Sequence, residues 1–136
     1  MWVNPSVIVI DDDPDLRETH SEFIKLGSID VLATGSNGKD AVELYQKYRP
    51  DVVLMDLNMP DFDGFYGLEN IRKTDPNAKV VICTGSAEHE QVNRLIEMGA
   101  FAIIPKPQGI IDFVGMLHKL SLGDSIHEPL REVIWK

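Results

Sequence analysis

The stretch Val52-Val53-Leu54-Met55-Asp56-Leu57-Asn58-Met59-Pro60 decides the fold, because it joins a short apolar run to a single aspartate and a turn. Four apolar residues precede Asp56, and Pro50-Asp51 and Pro60 bound the segment. A run of this length is typical of a strand that is buried on both faces of a parallel sheet. We therefore predict that Asp56 lies at the carboxyl end of a central strand, where open α/β sheets bind their ligands.

Strand-like and helix-like segments alternate along the rest of the chain. The predicted strands are 7–10, 29–33, 51–56, 79–83 and 101–104, and the predicted helices are 14–26, 37–48, 64–73, 86–98 and 109–122. The first helix is opened by Asp13 and Pro14 and closed by a capping Gly27. Single helices that join successive strands require parallel strands and right-handed crossovers. The sequence therefore predicts an α/β fold, a doubly wound five-stranded parallel sheet of the flavodoxin-like (β/α)5 kind.

Composition and charge limit the classes of function. The chain has 136 residues and a formal net charge of −9, which argues against a nucleic-acid-binding surface because phosphate contacts need clustered Lys and Arg. No apolar run approaches the roughly 18 residues of a membrane span, and the N-terminus lacks the features of a signal peptide. The single cysteine, Cys83, fits a reducing compartment. We expect a cytoplasmic protein.

Two regions follow from this pattern. Residues 1–123 contain all five strand–helix units, and their number is typical of a single domain. Residues 124–136 form a C-terminal tail in which Leu130, Val133 and Ile134 follow Pro129. These apolar positions suggest a short amphipathic turn of helix, which either docks on a partner or packs back on the domain.

Polar side chains follow the predicted strands, each at the point where a strand ends. Asp11 and Asp12 follow the first strand, and Asp56 ends the third. Thr84 follows the fourth strand and Lys106 the fifth. Because the carboxyl ends of parallel strands share one edge of the sheet, we expect these residues to converge. The sequence therefore predicts a pocket with three carboxylates, one hydroxyl and one ammonium.

Such a pocket favours a hard cation and phosphoryl chemistry. Packed carboxylates repel one another and take up protons unless a cation compensates them. Mg²⁺ prefers oxygen ligands, and it commonly uses one or two carboxylates together with substrate oxygens and water. A phosphoryl group fits beside the ion, where Lys106 and Thr84 can hold its oxygens. A carboxylate can act as a nucleophile toward phosphorus, and Asp56, in the middle of the sheet, is the best candidate.

The motifs that carry this chemistry resemble the receiver domain of two-component response regulators. The resemblance runs from about residue 6 to residue 122, and it rests on Val9-Ile10-Asp11-Asp12-Asp13-Pro14, Met55-Asp56-Leu57-Asn58-Met59-Pro60 with Asp63-Gly64, Thr84-Gly85 and Pro105-Lys106-Pro107. It implies a stand-alone switch, similar to the chemotaxis regulators, that catalyses only its own phosphorylation and dephosphorylation. A sensor histidine kinase or a phosphotransfer protein would supply the phosphoryl group, and a downstream effector protein would read the state of the switch.

The same resemblance implies a role for each residue of the pocket. Asp56 would be the phosphoacceptor, and Thr84 and Lys106 would bind phosphoryl oxygens. Mg²⁺ would be held by Asp11, Asp12, Asp56 and the backbone carbonyl of Asn58. The bond between Lys106 and Pro107 resembles a cis proline peptide of the family, which is plausible physically because the residue is proline. Two positions depart from the family pattern: Ile103 and Gln108 stand where aromatic residues are common, so the output mechanism is left open.

Other interpretations are weaker. The segment Gly35-Ser36-Asn37-Gly38-Lys39 has the wrong spacing for a phosphate-binding loop, and it is better interpreted as a turn in which Asn37 caps a helix. A phosphatase with an aspartate nucleophile would need a second aspartate at position 58. A phosphate-independent adaptor would not need the complete set of pocket residues. His20, on the first helix, is expected to face solvent.

Overall fold

The computed structural model describes residues 4–85, 88–106 and 109–121, and it has the predicted architecture. Five strands alternate with five helices along the chain. The strands are β1 (Ser6–Ile10), β2 (Asp30–Gly35), β3 (Val52–Asp56), β4 (Val80–Thr84) and β5 (Ala102–Pro105). The helices are α1 (Pro14–Leu26), α2 (Gly38–Tyr48), α3 (Gly64–Thr74), α4 (His89–Glu97) and α5 (Gly109–Ser121).

All five strands form one parallel sheet in the order β2-β1-β3-β4-β5. Every residue of β3 and β4 is buried, which explains why these segments are continuous apolar runs and do not alternate. Right-handed crossovers place α1 on one face of the sheet and α2, α3 and α4 on the other. In agreement with this, α5 packs beside α1 and α2 packs against α3. The strand order reverses at β1, so the carboxyl ends of β1 and β3 border the crevice of the sheet.

The helix ends agree with the predicted caps at most positions. The Asp13 side chain accepts hydrogen bonds from the backbone of α1, and Asn37 accepts one from Asp40 N at 2.9 Å. The interpretation of Asn37 as a cap is therefore confirmed. The predicted start of the fourth helix at Ser86 lies outside the described residues, as do Pro107, Gln108 and the tail from 124 to 136. Within the described part of the chain, no helix is long and apolar enough to cross a bilayer.

The end of α1 differs from the prediction in its physical cause. Gly27 has an ordinary φ of −84°, and it is Ser28 that takes the left-handed conformation with φ of 62°. Gly27 is needed for close packing instead, because a Cβ there would lie 2.7 Å from Cγ1 of Val114 on α5. Its carbonyl also forms a hydrogen bond with Nε2 of His118. The glycine therefore lets α5 pack against the end of α1.

Candidate functional site

The carboxyl ends of β1 and β3 bring three predicted site residues together. Asp56 is the last residue of β3, and Asp11 and Asp12 follow β1. Asp11 is only 3% exposed and Asp56 only 7%, whereas Asp12 lies at the surface. One carboxylate oxygen from each of the three lies within 4.8 Å of the others. Three hard oxygen donors at this spacing fit Mg²⁺, which accepts a few protein carboxylates and completes its shell with water or substrate oxygens.

Lys106 joins the two buried carboxylates. Its Nζ lies 2.8 Å from Oδ2 of Asp11 and 3.0 Å from Oδ2 of Asp56. The backbone N–H of Lys106 donates to the carbonyl of Thr84 at 3.0 Å, which holds the segment after β5 against the end of β4. Lys106 contacts two of the three carboxylates, and its single positive charge is smaller than their combined negative charge. A bound cation would offset the remainder.

Burial and these contacts change the acidity of the paired groups. Burial, assisted by the negative charge of Asp11, raises the pKa of Asp56, although hydrogen bonds from Lys106 and from the Leu57 backbone oppose that shift. Burial alone would lower the pKa of Lys106, but its hydrogen bonds with Asp11 and Asp56 raise it above the usual value. The lysine therefore stays charged, and the ionised form of Asp56 carries an electrostatic cost in the metal-free protein.

Thr84 and Asn58 border the same edge. Thr84 ends β4 and is fully buried, and the residue before it, Cys83, is the register partner of Asp56. Cys83 is 3% exposed, so its interpretation as a core residue is confirmed. Burial raises the pKa of its thiol to about 12, which keeps the thiol protonated at neutral pH. Asn58 lies exposed in the loop after β3, two positions beyond Asp56.

A glycine folds that loop against the start of α3. Gly64 N donates to the carbonyl of Leu57 at 2.8 Å. A Cβ at Gly64 would lie 2.7 Å from the carbonyl oxygen of Asp56 and 2.8 Å from Cα of Leu57. Both neighbours are backbone atoms that cannot rotate away, so a larger residue would push α3 off the loop that carries Asn58.

Arg17 of α1 and its N-cap Asp13 belong to the surroundings of the pocket, and the motifs did not indicate Arg17. Nη1 of Arg17 donates to the carbonyl of Asp11 at 2.8 Å, and Asp13 N donates to Oδ1 of Asp11 at 2.9 Å. These bonds fix the turn that presents Asp11 to Lys106. Arg17 follows Asp13 by one helical turn, and that spacing is the signal from which its contact could have been found.

His20 is buried, so the expectation that it faces solvent was wrong. It is 5% exposed, and its Nε2 has no hydrogen-bond partner among the residues that the structure describes. The cause is its helical position, because His20 shares a face of α1 with the core residue Ile24. Burial lowers the pKa of His20; the nearby Asp11 opposes the shift and Lys106 adds to it.

We expect His20→Leu to remove a pH dependence of stability. The pKa of His20 in the folded protein lies below its ordinary value of 6.5, so the unfolded chain binds a proton first as the pH falls. The free energy of unfolding therefore decreases as the pH falls below about 6.5 toward the folded-state pKa. His20→Leu should abolish the part of this decrease that is due to His20. It should also raise the free energy of unfolding at pH 7 by about 1 kcal/mol, because an unpaired buried nitrogen is removed.

Urea unfolding at a series of pH values measures this effect. His89→Leu, which removes an exposed histidine of α4, serves as the control for the loss of an imidazole. A slope below pH 6.5 that is the same in His20→Leu as in the wild type would contradict the assignment.

Comparison with known proteins places this geometry in context. A family model described as the response regulator receiver domain matches residues 7–118. The chemotaxis protein CheY of Thermotoga maritima is 34% identical over 115 residues, which cover 85% of this chain and 96% of that protein. The response regulator protein VraR of Staphylococcus saprophyticus is 35% identical over 123 residues, which cover 90% of this chain but only 59% of VraR.

A solved structure agrees with these sequence matches. The structure of a DNA-binding response regulator of the LuxR family from Staphylococcus aureus superposes with a TM-score of 0.78 at 31% identity, covering 86% of this chain and 98% of that one. The fold of this chain is therefore similar to that of a solved response regulator structure.

Proposed function

Because the chain belongs to the response regulator receiver domain family, we propose that Asp56 is the phosphoacceptor of this phosphorylation-controlled switch. The observation that carries the proposal is the environment of this carboxylate. Asp56 ends a fully buried central strand, lies 3.0 Å from the ammonium of Lys106, and shares its pocket with Asp11 and Asp12. These four residues therefore combine a nucleophile, a cation that can bind phosphoryl oxygens, and a set of metal ligands.

We further propose that Asp11, Asp12, Asp56 and the backbone carbonyl of Asn58 hold Mg²⁺. When bound there, the ion would supply positive charge that offsets the repulsion between phosphoryl oxygens and the carboxylates. In the transfer, an Asp56 oxygen forms a bond to phosphorus while the bond from phosphorus to the donor breaks. Lys106 and Thr84 bind the oxygens of the transferred group. The lysine is already in the pocket, so little rearrangement is needed for that contact.

The exposure of Asp56 indicates what can deliver the phosphoryl group. At 7% exposed, this carboxylate can be approached only by a compact group, such as a small phosphodonor or a phosphorylated side chain. A sensor histidine kinase or a phosphotransfer protein would present phosphohistidine in this way. We propose that the chain's catalysis is confined to the gain and loss of its own phosphoryl group, and that an effector protein reads the result. The buried free thiol of Cys83 fits a cytoplasmic setting.

Incubation with acetyl phosphate tests the proposal without knowledge of the natural kinase. With Mg²⁺ present, intact-mass spectrometry should find one added phosphoryl group that is released by acid and by hydroxylamine, as expected of an acyl phosphate. With the metal removed by a chelator, the same mixture should stay unlabelled. Labelling that is equally fast with and without Mg²⁺ would contradict the proposed metal role.

Asp12→Ala should weaken Mg²⁺ binding by at least about tenfold, because a hard oxygen ligand is lost and even indirect ligand contacts contribute that much. Asp12 is exposed, so the fold should persist. Isothermal titration calorimetry measures the affinity. Asp15→Ala is the matched control, since Asp15 lies three positions away in the first turn of α1 and outside the carboxylate cluster. An unchanged affinity in Asp12→Ala would remove Asp12 from the ligand set.

A further inference from the structure

The end of α1 that is remote from the carboxylate pocket carries an apolar patch, formed by Phe23 and Leu26. Leu26 is 85% exposed and Phe23 is 39% exposed. The two residues are three positions apart on the helix, so their side chains are neighbours on its surface. Leu26 is the most exposed of the large apolar residues in the described part of the chain, and its neighbour enlarges the area that a partner segment could cover.

A cleft adjoins this patch. It has a volume of about 300 Å³, lies between the end of α1 and the amino ends of β1 and β2, and is lined by Asn4, Lys25, Ser28, Ile29, Asp30 and Val31. Lys25 and Asp30 place one charge of each sign on its wall. The cleft and the patch together therefore offer apolar contacts beside charged groups, which is the composition that an amphipathic segment fits.

The path of the chain favours the segment after α5 as the occupant of the patch. The packing of Val114 and His118 of α5 against Gly27 brings the end of α5 beside the end of α1. The described part of α5 runs to Ser121, about one turn beyond His118, so the segment 122–136 is attached near the end of α1. Fifteen residues remain, and an extended chain of that length spans roughly 50 Å. The 13-residue α1 is only about 20 Å long, so the remaining chain can reach any part of it.

The segment 122–136 has apolar and charged residues that are complementary to the patch and the cleft. Leu130, Val133 and Ile134 are apolar, and Arg131 and Glu132 lie between them. A segment tethered this closely acts at a local concentration in the millimolar range, which gives it an advantage over a second copy of the chain.

We propose that residues 122–136 dock on the apolar patch of α1. The apolar side chains of this segment cover Leu26 and Phe23, and Arg131 pairs with Asp30 on the wall of the cleft. The proposal concerns the edge of the sheet opposite to Asp56, and it is independent of the phosphoryl chemistry.

Trp135 provides a probe within the docked segment. The chain has two tryptophans, so a Trp2→Phe background leaves Trp135 as the only one. In that background we expect Trp135 emission to be blue-shifted and protected from acrylamide. Leu26→Asp should shift the emission to the red and increase quenching, and Val133→Asp should do the same from the other side of the contact. Ile111→Asp is the matched control, because Ile111 is a 66% exposed aliphatic residue in the first turn of α5, and it should leave the emission unchanged.

The outcomes distinguish the possible occupants. Far-ultraviolet circular dichroism verifies that each variant is folded, which the exposed positions of Leu26 and Ile111 should permit. A red shift in both Leu26→Asp and Val133→Asp, independent of protein concentration, supports the proposal. A shift that depends on concentration would assign the patch to a second copy and overturn it. The proposal would also be overturned if Trp135 in the Trp2→Phe protein already emitted like an exposed indole. A response to Val133→Asp without a response to Leu26→Asp would overturn it as well.

Discussion

Asp56→Asn is expected to abolish phosphoryl uptake from acetyl phosphate, reducing the labelled fraction from nearly all molecules to background. The amide is a poor nucleophile and carries no charge toward a metal. Its shape is nearly that of the carboxylate, so packing at the end of β3 should not change. Intact-mass spectrometry after incubation with Mg²⁺ measures the loss. If the variant were labelled as fully as the wild type, Asp56 would not be the acceptor.

The same substitution should stabilise the metal-free protein. Burial raises the pKa of Asp56, so at pH 7 its ionised form destabilises the folded state relative to the unfolded chain. Asparagine removes that cost, and Mg²⁺ should then stabilise the variant less than it stabilises the wild type. Asp61→Asn is the control: Asp61 is exposed in the loop before α3 with φ of 66°, a conformation that asparagine also adopts readily. Urea unfolding with and without Mg²⁺ compares the three proteins.

Lys106→Met should have the largest effect on stability. The substitution leaves Asp11 and Asp56 buried without their common partner. Removing one partner of a buried ion pair lowers the free energy of unfolding by roughly 3–5 kcal/mol. The value here should lie near the lower limit, because the lysine side chain is 14% exposed and water can partly replace it. Part of the loss should be recovered by Mg²⁺, which becomes the main compensating charge. The variant should therefore gain more stability from Mg²⁺ than the wild type does.

Lys73→Met is the matched control for the removal of a lysine. Nζ of Lys73 lies 3.3 Å from Oε1 of Glu69, but both side chains are more than half exposed. Such surface pairs contribute about 0.5 kcal/mol or less, so the control should be close to neutral. Equal destabilisation by the two substitutions, measured by urea unfolding, would show that the buried contacts of Lys106 are not the source of the effect.

The fold and the membership of the pocket could be predicted because both depend on local patterns and on topology. The continuous apolar runs of β3 and β4 reflect burial on both faces, so the sequence alone indicates central strands. Parallel topology then requires that Asp11 and Asp56 meet at one edge. The sequence also identified Lys106 correctly as a member of the pocket, since it follows β5 at that edge.

Other features could not be predicted because they depend on contacts between elements. The burial of His20 depends on which face of α1 packs on the sheet. Because histidine is polar, it does not count toward the apolar spacing that would identify that face. The role of Gly27 depends on the approach of α5, and the left-handed residue is the adjacent Ser28. The sharing of Lys106 between two carboxylates depends on side-chain conformations after folding. The roles of Asp11, Asp12, Asp56 and Asn58 as metal ligands stay predictions.

The double contact of Lys106 also has a mechanical consequence. The residue follows β5, yet its ammonium reaches over β4 to the ends of β3 and β1. Neighbouring strands are about 4.8 Å apart, so this one side chain ties the edge strand of the sheet to strands two and three positions away. A change of partner at the ammonium is therefore expected to act directly on Lys106, which follows β5. Asp56 is thus linked to the edge strand of the sheet through a single side chain.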